Sequence, residues 1–200
     1  MKITTLTTAG IDCAIHAMRN PMNSWDRCDS TIAEVGPKDK ELSLTLQNAG
    51  PEHCKHLRMI VTWADITAPR FWWSEADTYR AGVEKVSCST MHKLMSRPLN
   101  IDDFEHEDDP FLLKSVIRSI NRDMEVYKEL KKEGEDEQAK EIWRGIIQIL
   151  PQSYLQKRTV MFSYAALRNI VKQRKGHKLK EWAQFIEWAE SLPESWMIFE

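Results

Sequence analysis

The stretch 150–182, LPQSYLQKRTVMFSYAALRNIVKQRKGHKLKEW, carries eight lysines and arginines and no acid between Lys157 and Lys180. A Leu150-Pro151 break opens it. A short alternating run over 158–162 then predicts a strand, and apolar positions at helical spacing predict a helix over 165–174. A final helix is expected over 179–192, with Trp182, Phe185, Ile186 and Ala189 on its apolar side. Phosphate is held by charge and by forked guanidinium hydrogen bonds, and Arg168 and Arg174 can supply both. On a helix Arg168, Lys172 and Gly176 share one face while Arg174 and Lys178 share another, so one ligand need not meet them all. The block reads either as a local anion site or as a solvated basic helix face.

Upstream, Leu113, Val116, Ile117, Ile120, Met124 and Tyr127 fall at three- and four-residue steps. They predict a long helix that breaks near Gly134. Ala139, Ile142, Trp143, Ile146 and Ile147 form the stripe of a second helix, and the two make a helical hairpin. The acidic run 100–110, NIDDFEHEDDP, predicts a solvated loop before the hairpin. At the N-terminus, alternation at Ile3 and Thr5 followed by Ile11, Ala14, Ile15 and Met18 predicts a strand entering a helix that closes at Asn20-Pro21. Residues 22–40 read as a loop. Leu42, Leu44 and Leu46 alternate with polar residues and predict a strand; Leu57, Met59, Val61 and Trp63 predict a second one close behind, which favours antiparallel pairing. The run RFWWSEADTYR over 70–80 reads as a helix or as a buried irregular segment.

The expected class is therefore α/β of the α+β kind, with a central antiparallel-rich sheet flanked by helices and a helical hairpin. A length of 200 residues with 42% apolar content suits a single domain spanning 1–200. A net charge of −2 argues against nucleic-acid binding driven by overall charge, so any anion site is local. Apolar stretches fall short of the roughly 18 to 20 residues that span a bilayer, and the N-terminus lacks a hydrophobic signal core, so no membrane association and a cytoplasmic location are expected. Cys13, Cys28, Cys54 and Cys88 form no CxxC pair and are expected as reduced thiols.

Other constellations each carry two readings. The stretch 79–92, YRAGVEKVSCSTMH, mixes a cation, a glycine, hydroxyls and an imidazole that could anchor a phosphate or a polar ring, but a buried strand with a polar cap explains it equally. His53, Cys54 and His56 invite a zinc reading without a second ligand pair at finger spacing. His106 among Asp102, Asp103, Glu105, Glu107, Asp108 and Asp109 could attract a divalent cation, yet the order of an EF-hand loop is missing and a solvated loop is the plainer reading. Trp72 and Trp73 beside Arg70 are core candidates or could stack on a flat ring. No GxGxxG, Walker loop, HExxH or GxSxG is present.

Three pieces, in order, resemble the flavin-dependent thymidylate synthases, particularly divergent members found in phages and prophages. These are EHCKHLRMIVTW from position 52, DITAPRFWWSEADTYRAGVEKVSCSTMHK from position 65, and the basic stretch 150–182. The resemblance implies a homotetramer that holds FAD in a site unlike the parallel dinucleotide fold. It implies reductive methylation of dUMP to dTMP with methylenetetrahydrofolate and NADPH as co-substrates, with no cysteine nucleophile. It carries Arg174 over as the catalytic, uracil-binding arginine. Arg80 and Ser87 or Ser89 match signature residues that hold nucleotide phosphate and flavin, and His53 and His177 match positions near the flavin. The chain departs from the family at Ser163 and Ala165, where an asparagine and an arginine are usual, and Thr78-Tyr79-Arg80 keeps one arginine of the arginine-histidine-arginine signature. A catalytically degenerate nucleotide-binding or interaction protein of the same fold is the alternative.

Overall fold

The computed structural model describes residues 1–32, 34–108 and 110–200, so Asp109 of the acidic run lies outside the described residues. Lys2–Ala9 forms β1 and Ile11–Met18 forms α1, the strand and helix that the N-terminal alternation and apolar spacing predict. Pro37–Ala49 is α2, which overturns the strand expected through Leu42, Leu44 and Leu46 and ends the preceding loop at Gly36. Pro37 sits in the first turn, where its missing N–H costs nothing, and Asp39 follows at the positive end of the helix.

The residues that α2 buries are Asp39, Ser43 and Gln47, each four positions from the next. The inward stripe thus has a helical period but is polar, while the three leucines lie at half-buried positions. Reading hydrophobicity alone registers the leucines and misses the stripe. Burial is tolerated because each polar group is bonded. Asp39 accepts from Arg19 Nε at 2.6 Å, Ser43 Oγ meets His56 Nε2 at 2.9 Å, and Gln47 Oε1 accepts from Arg168 Nη1 at 2.7 Å.

β2 is Val61–Pro69; the strand expected from Leu57 starts later because Cys54–Arg58 winds into a 3-10 helix. Arg70–Ala76 is α3, Val83–Ser87 is β3 and Thr90–Lys93 is α4. The hairpin is α5, Phe111–Glu133, and α6, Asp136–Ile149, turned at Gly134, whose φ of 81° is left-handed and suits glycine. Leu155–Ser163 is β4, Tyr164–Arg174 is α7, Lys180–Glu190 is α8 and Trp196–Phe199 is α9. The strands form an antiparallel sheet of four in the order β1-β2-β4-β3, flanked by helices, as the α+β expectation has it. The strand pair expected from 42–46 and 57–63 does not exist; β2 instead lies between β1 and β4.

Two compact units are distinguished, and the chain crosses between them within β2, α3, β3 and β4. The first comprises Met1, Thr67–Ser74 and Ser87–Lys157. Its core gathers Phe104, Ile117, Ile120, Met124, Ile146 and Leu150, and the rings of Phe104 and Tyr154 meet edge-on at 5.6 Å. Trp72 and Trp73 are buried here, with Trp73 Nε1 donating to the Gln156 carbonyl at 2.9 Å, so both take the core reading. The second unit comprises Lys2–Ile66, Glu75–Val86 and Arg158–Glu200. In its core Phe162 of β4 packs on Phe185 and Trp188 of α8 at 5.6 and 5.8 Å between ring centroids. Among the described residues no helix is long and apolar enough to cross a membrane.

Candidate functional site

The site is built on α7, and the residue before that helix explains why the helix starts where it does. Ser163 is its N-cap: Ser163 Oγ accepts from the Ala166 amide at 3.2 Å. The Ser163 amide donates to the Gly82 carbonyl at 2.8 Å, which brings the 80–82 turn against the helix start. Gly82 has φ of +71°, and a β-carbon there would lie 2.4 Å from Ser163 Oγ, so only glycine fits this approach.

From that start α7 turns Tyr164, Leu167, Ile170 and Val171 inward. Its other face presents Ala165, Arg168, Asn169 and Lys172 to a cleft of about 480 Å³, closed by Gln47, Cys54, Leu57 and Arg58. A neighbouring cleft of about 520 Å³ shares Arg58, Ala165 and Asn169 and adds Ala81, Gly82 and Ser163. Among the described residues that line it, the first cleft has three cations, Arg58, Arg168 and Lys172, and no carboxylate side chain. Arg168 is held in place: Nη1 donates to Gln47 Oε1 at 2.7 Å and Nη2 to the main-chain oxygen of Glu200 at 3.2 Å. Behind Gln47, its Nε2 donates to Ser43 Oγ at 3.2 Å, which in turn meets His56 Nε2. Burial, together with the positive charge of Arg168, holds the His56 imidazole below its ordinary pKa.

At the other end of α7 Arg174 is enclosed. Its Nη1 pairs with Glu75 Oε2 at 2.8 Å and its Nε donates to Tyr79 Oη at 2.8 Å. The guanidinium lies over the Trp182 ring at 4.6 Å and over Tyr79 at 5.3 Å. Trp182 Nε1 donates to the same Glu75 oxygen at 2.9 Å, and His177 Nε2 stands 3.5 Å from it. One carboxylate oxygen therefore collects a guanidinium, an indole and an imidazole.

The residues expected from the sequence distribute as follows. Arg174 and His177 come together through Glu75. Arg80 is exposed at the turn that leads to Gly82, its carbonyl accepting from the Val83 amide at 3.2 Å. His53 is exposed before the 3-10 turn, 3.7 Å from the Glu52 carboxylate. Ser87 ends β3, and Ser89 caps α4 while sharing a 2.7 Å hydrogen bond with His92 Nδ1; both belong to the first unit. The His53, Cys54 and His56 group does not converge as ligands, since His56 bonds Ser43 and the Cys54 thiol bonds the Gly50 carbonyl at 3.3 Å. Arg58, Gln47 and Asn169 were not singled out from the sequence. For Asn169 the signal was present in its spacing from Ala165 and Lys172; for Gln47 and Arg58 it was absent, because they reach the cleft from other elements.

No family model matches this sequence, and no curated protein matches it. Two solved structures of the flavin-dependent thymidylate synthase ThyX from Helicobacter pylori, both with FAD and dUMP, are similar in fold. Each is 20% identical, covers 100% of this chain and 98% of the other, and has a TM-score of 0.70. The chain has the fold of that flavin-dependent thymidylate synthase.

Proposed function

We propose that this chain is a cytoplasmic, homotetrameric flavin-dependent thymidylate synthase, reductively methylating dUMP to dTMP with FAD as cofactor and methylenetetrahydrofolate and NADPH as co-substrates. One observation carries the reading: the whole chain matches a fold solved with FAD and dUMP, and on α7 stands a cleft whose described lining has three cations and no carboxylate side chain. That donor set fits the pyrophosphate of a flavin dinucleotide, with Arg58, Arg168 and Lys172 as its charge partners and Asn169 as a neutral donor and acceptor. Bound flavin would supply the electron transfer that none of these side chains can perform. Arg174 would bind the uracil ring, where a guanidinium fixed by Glu75 and flanked by Trp182 and Tyr79 favours the electron-rich form of the ring without reorganising. Arg80, and Ser87 or Ser89, are the matches to signature residues that hold nucleotide phosphate and flavin, and His53 and His177 would lie near the flavin.

A second reading has its own support. Ser163 spends its hydroxyl on capping α7, Ala165 presents a methyl to both clefts, and Arg174 is already paired with Glu75. These features suit a protein that binds nucleotide without turnover. Incubation with FAD followed by removal of free cofactor separates the two. Retained flavin absorbance with dTMP formed from dUMP, methylenetetrahydrofolate and NADPH supports the enzyme. A colourless protein that dUMP still stabilises against heat, with no dTMP, supports the second reading.

A further inference from the structure

The cleft on α7 has a back wall that its cations alone do not explain. Gln47 is 6% exposed and Ser43 and His56 are more deeply buried, yet all three are polar and bonded in series behind Arg168. The direction of the series follows from donors and acceptors. Arg168 can only donate, so Gln47 must turn its carbonyl oxygen to Nη1 and its amide nitrogen to Ser43. Ser43 Oγ, accepting from Gln47, has its proton left for His56 Nε2, which accepts it when the imidazole is neutral. The amide of Gln47 is therefore locked in one orientation by the protein interior, and its carbonyl is a neutral acceptor for a cation.

Neutrality is the important property. A carboxylate at position 47 would hold Arg168 as well but would cancel its charge towards any anion in the cleft. Gln47 fixes the guanidinium without setting a charge of its own against it; the second contact, from Nη2 at 3.2 Å, is to the main-chain oxygen of Glu200. With a longer contact from Nη1 to Cys54 Sγ at 4.0 Å, three of the five guanidinium N–H groups are engaged. Arg58 and Lys172 line the same cleft, and both are exposed.

We infer that Arg168 is the principal anion-binding residue of this cleft, that its ligand carries a pyrophosphate-type dianion, and that Gln47, supported by Ser43 and His56, is its positioning residue. The inference rests on the proposed flavin function only for the identity of the group bearing the pyrophosphate.

The test uses inorganic pyrophosphate as probe, titrated calorimetrically into the full chain at low salt, with FAD and riboflavin titrated in parallel. Arg168→Gln is expected to weaken pyrophosphate binding tenfold or more, Arg168→Lys to weaken it less, and Lys140→Gln on the exposed side of α6 to leave it unchanged. Gln47→Glu, which keeps a holder but neutralises the cation, is expected to weaken binding more than Gln47→Met, which removes the holder and leaves the charge. A merely structural role for Gln47 would make the Met variant at least as severe. Thermal midpoints of all variants within a few degrees of the parent confirm that they fold. Should Arg168→Gln misfold, the Gln47 pair and Arg168→Lys still decide the matter. Parental protein that fails to bind pyrophosphate, or Arg168 and Gln47→Glu variants that bind it within twofold of the parent, overturns the inference. FAD bound tightly and equally by parent and Arg168→Gln overturns it while leaving the flavin reading intact. Arg168-dependent pyrophosphate binding without affinity for FAD or riboflavin upholds it and removes the flavin reading.

Discussion

Arg174 Nη1 stands 2.8 Å from Glu75 Oε2, joining the last residue of α7 to the C-terminal end of α3 across 99 residues of sequence. The same oxygen accepts the buried indole N–H of Trp182. Glu75 thus decides both the orientation of the arginine and the satisfaction of a core tryptophan, and any ligand that engages Arg174 does so in the presence of this carboxylate.

Replacing Glu75 tests that dual role. Glu75→Ala removes the oxygen that accepts from Trp182 Nε1 and Arg174 Nη1 and is expected to lower stability by about 1–3 kcal/mol in urea unfolding followed by tryptophan emission. Glu75→Gln retains an oxygen acceptor and is expected to lose clearly less. Equal losses would show that the carboxylate's charge, and not its hydrogen bonds, matters here.

Asp39 supplies a pH-dependent contribution. Burial by itself would raise its carboxyl, but hydrogen bonds from Ser30, Arg19 and Cys28 and from the Asp29 amide outweigh it and bring it to about 2. The folded value lies below the ordinary 3.8, so the stabilisation is fully present above that value and is lost as pH falls through about 2. It amounts to something on the order of 2 kcal/mol. Acid unfolding of the parent and of Asp39→Asn should therefore differ most above pH ~4 and converge towards pH ~2. At neutral pH, Asp39→Asn leaves Arg19 buried beside a neutral amide and is expected to cost about 3–5 kcal/mol.

The Gly82 and Ser163 contact predicts two further losses. Ser163→Ala removes the α7 cap and should cost about 1 kcal/mol in chemical unfolding. Gly82→Ala puts a side chain at φ +71° with its β-carbon 2.4 Å from Ser163 Oγ. Its cost should exceed the roughly 1–2 kcal/mol of the left-handed conformation alone. In the double variant Ser163→Ala relieves part of the clash, so the two losses should add to less than their sum.

Ala165 faces both clefts with a methyl group. Ala165→Arg adds a guanidinium there and should strengthen FAD binding by about tenfold to a hundredfold, the range of one charge-assisted hydrogen bond of roughly 1.5–3 kcal/mol. Flavin fluorescence quenching on titration measures it. An unchanged affinity would place flavin elsewhere.

What the sequence determined by itself is whatever is encoded by neighbours along the chain. The β4-α7-α8 order, the α5-α6 hairpin and the N-terminal strand and helix were legible because alternation and three-to-four spacing act within one element. The basic residues of the block were placed on α7 for the same reason. Tertiary structure decided the rest. α2 buries Asp39, Ser43 and Gln47, and no hydropathy pattern reports a polar stripe whose partners Arg19, His56 and Arg168 come from other segments. The cleft took shape only when residues 47–58 met residues 165–172, and Arg174 acquired its carboxylate from the far end of α3. Charge and hydrogen bonding act through space, so the partner that fixes a cation's role can stand a hundred residues away while the cation itself is plain in the sequence.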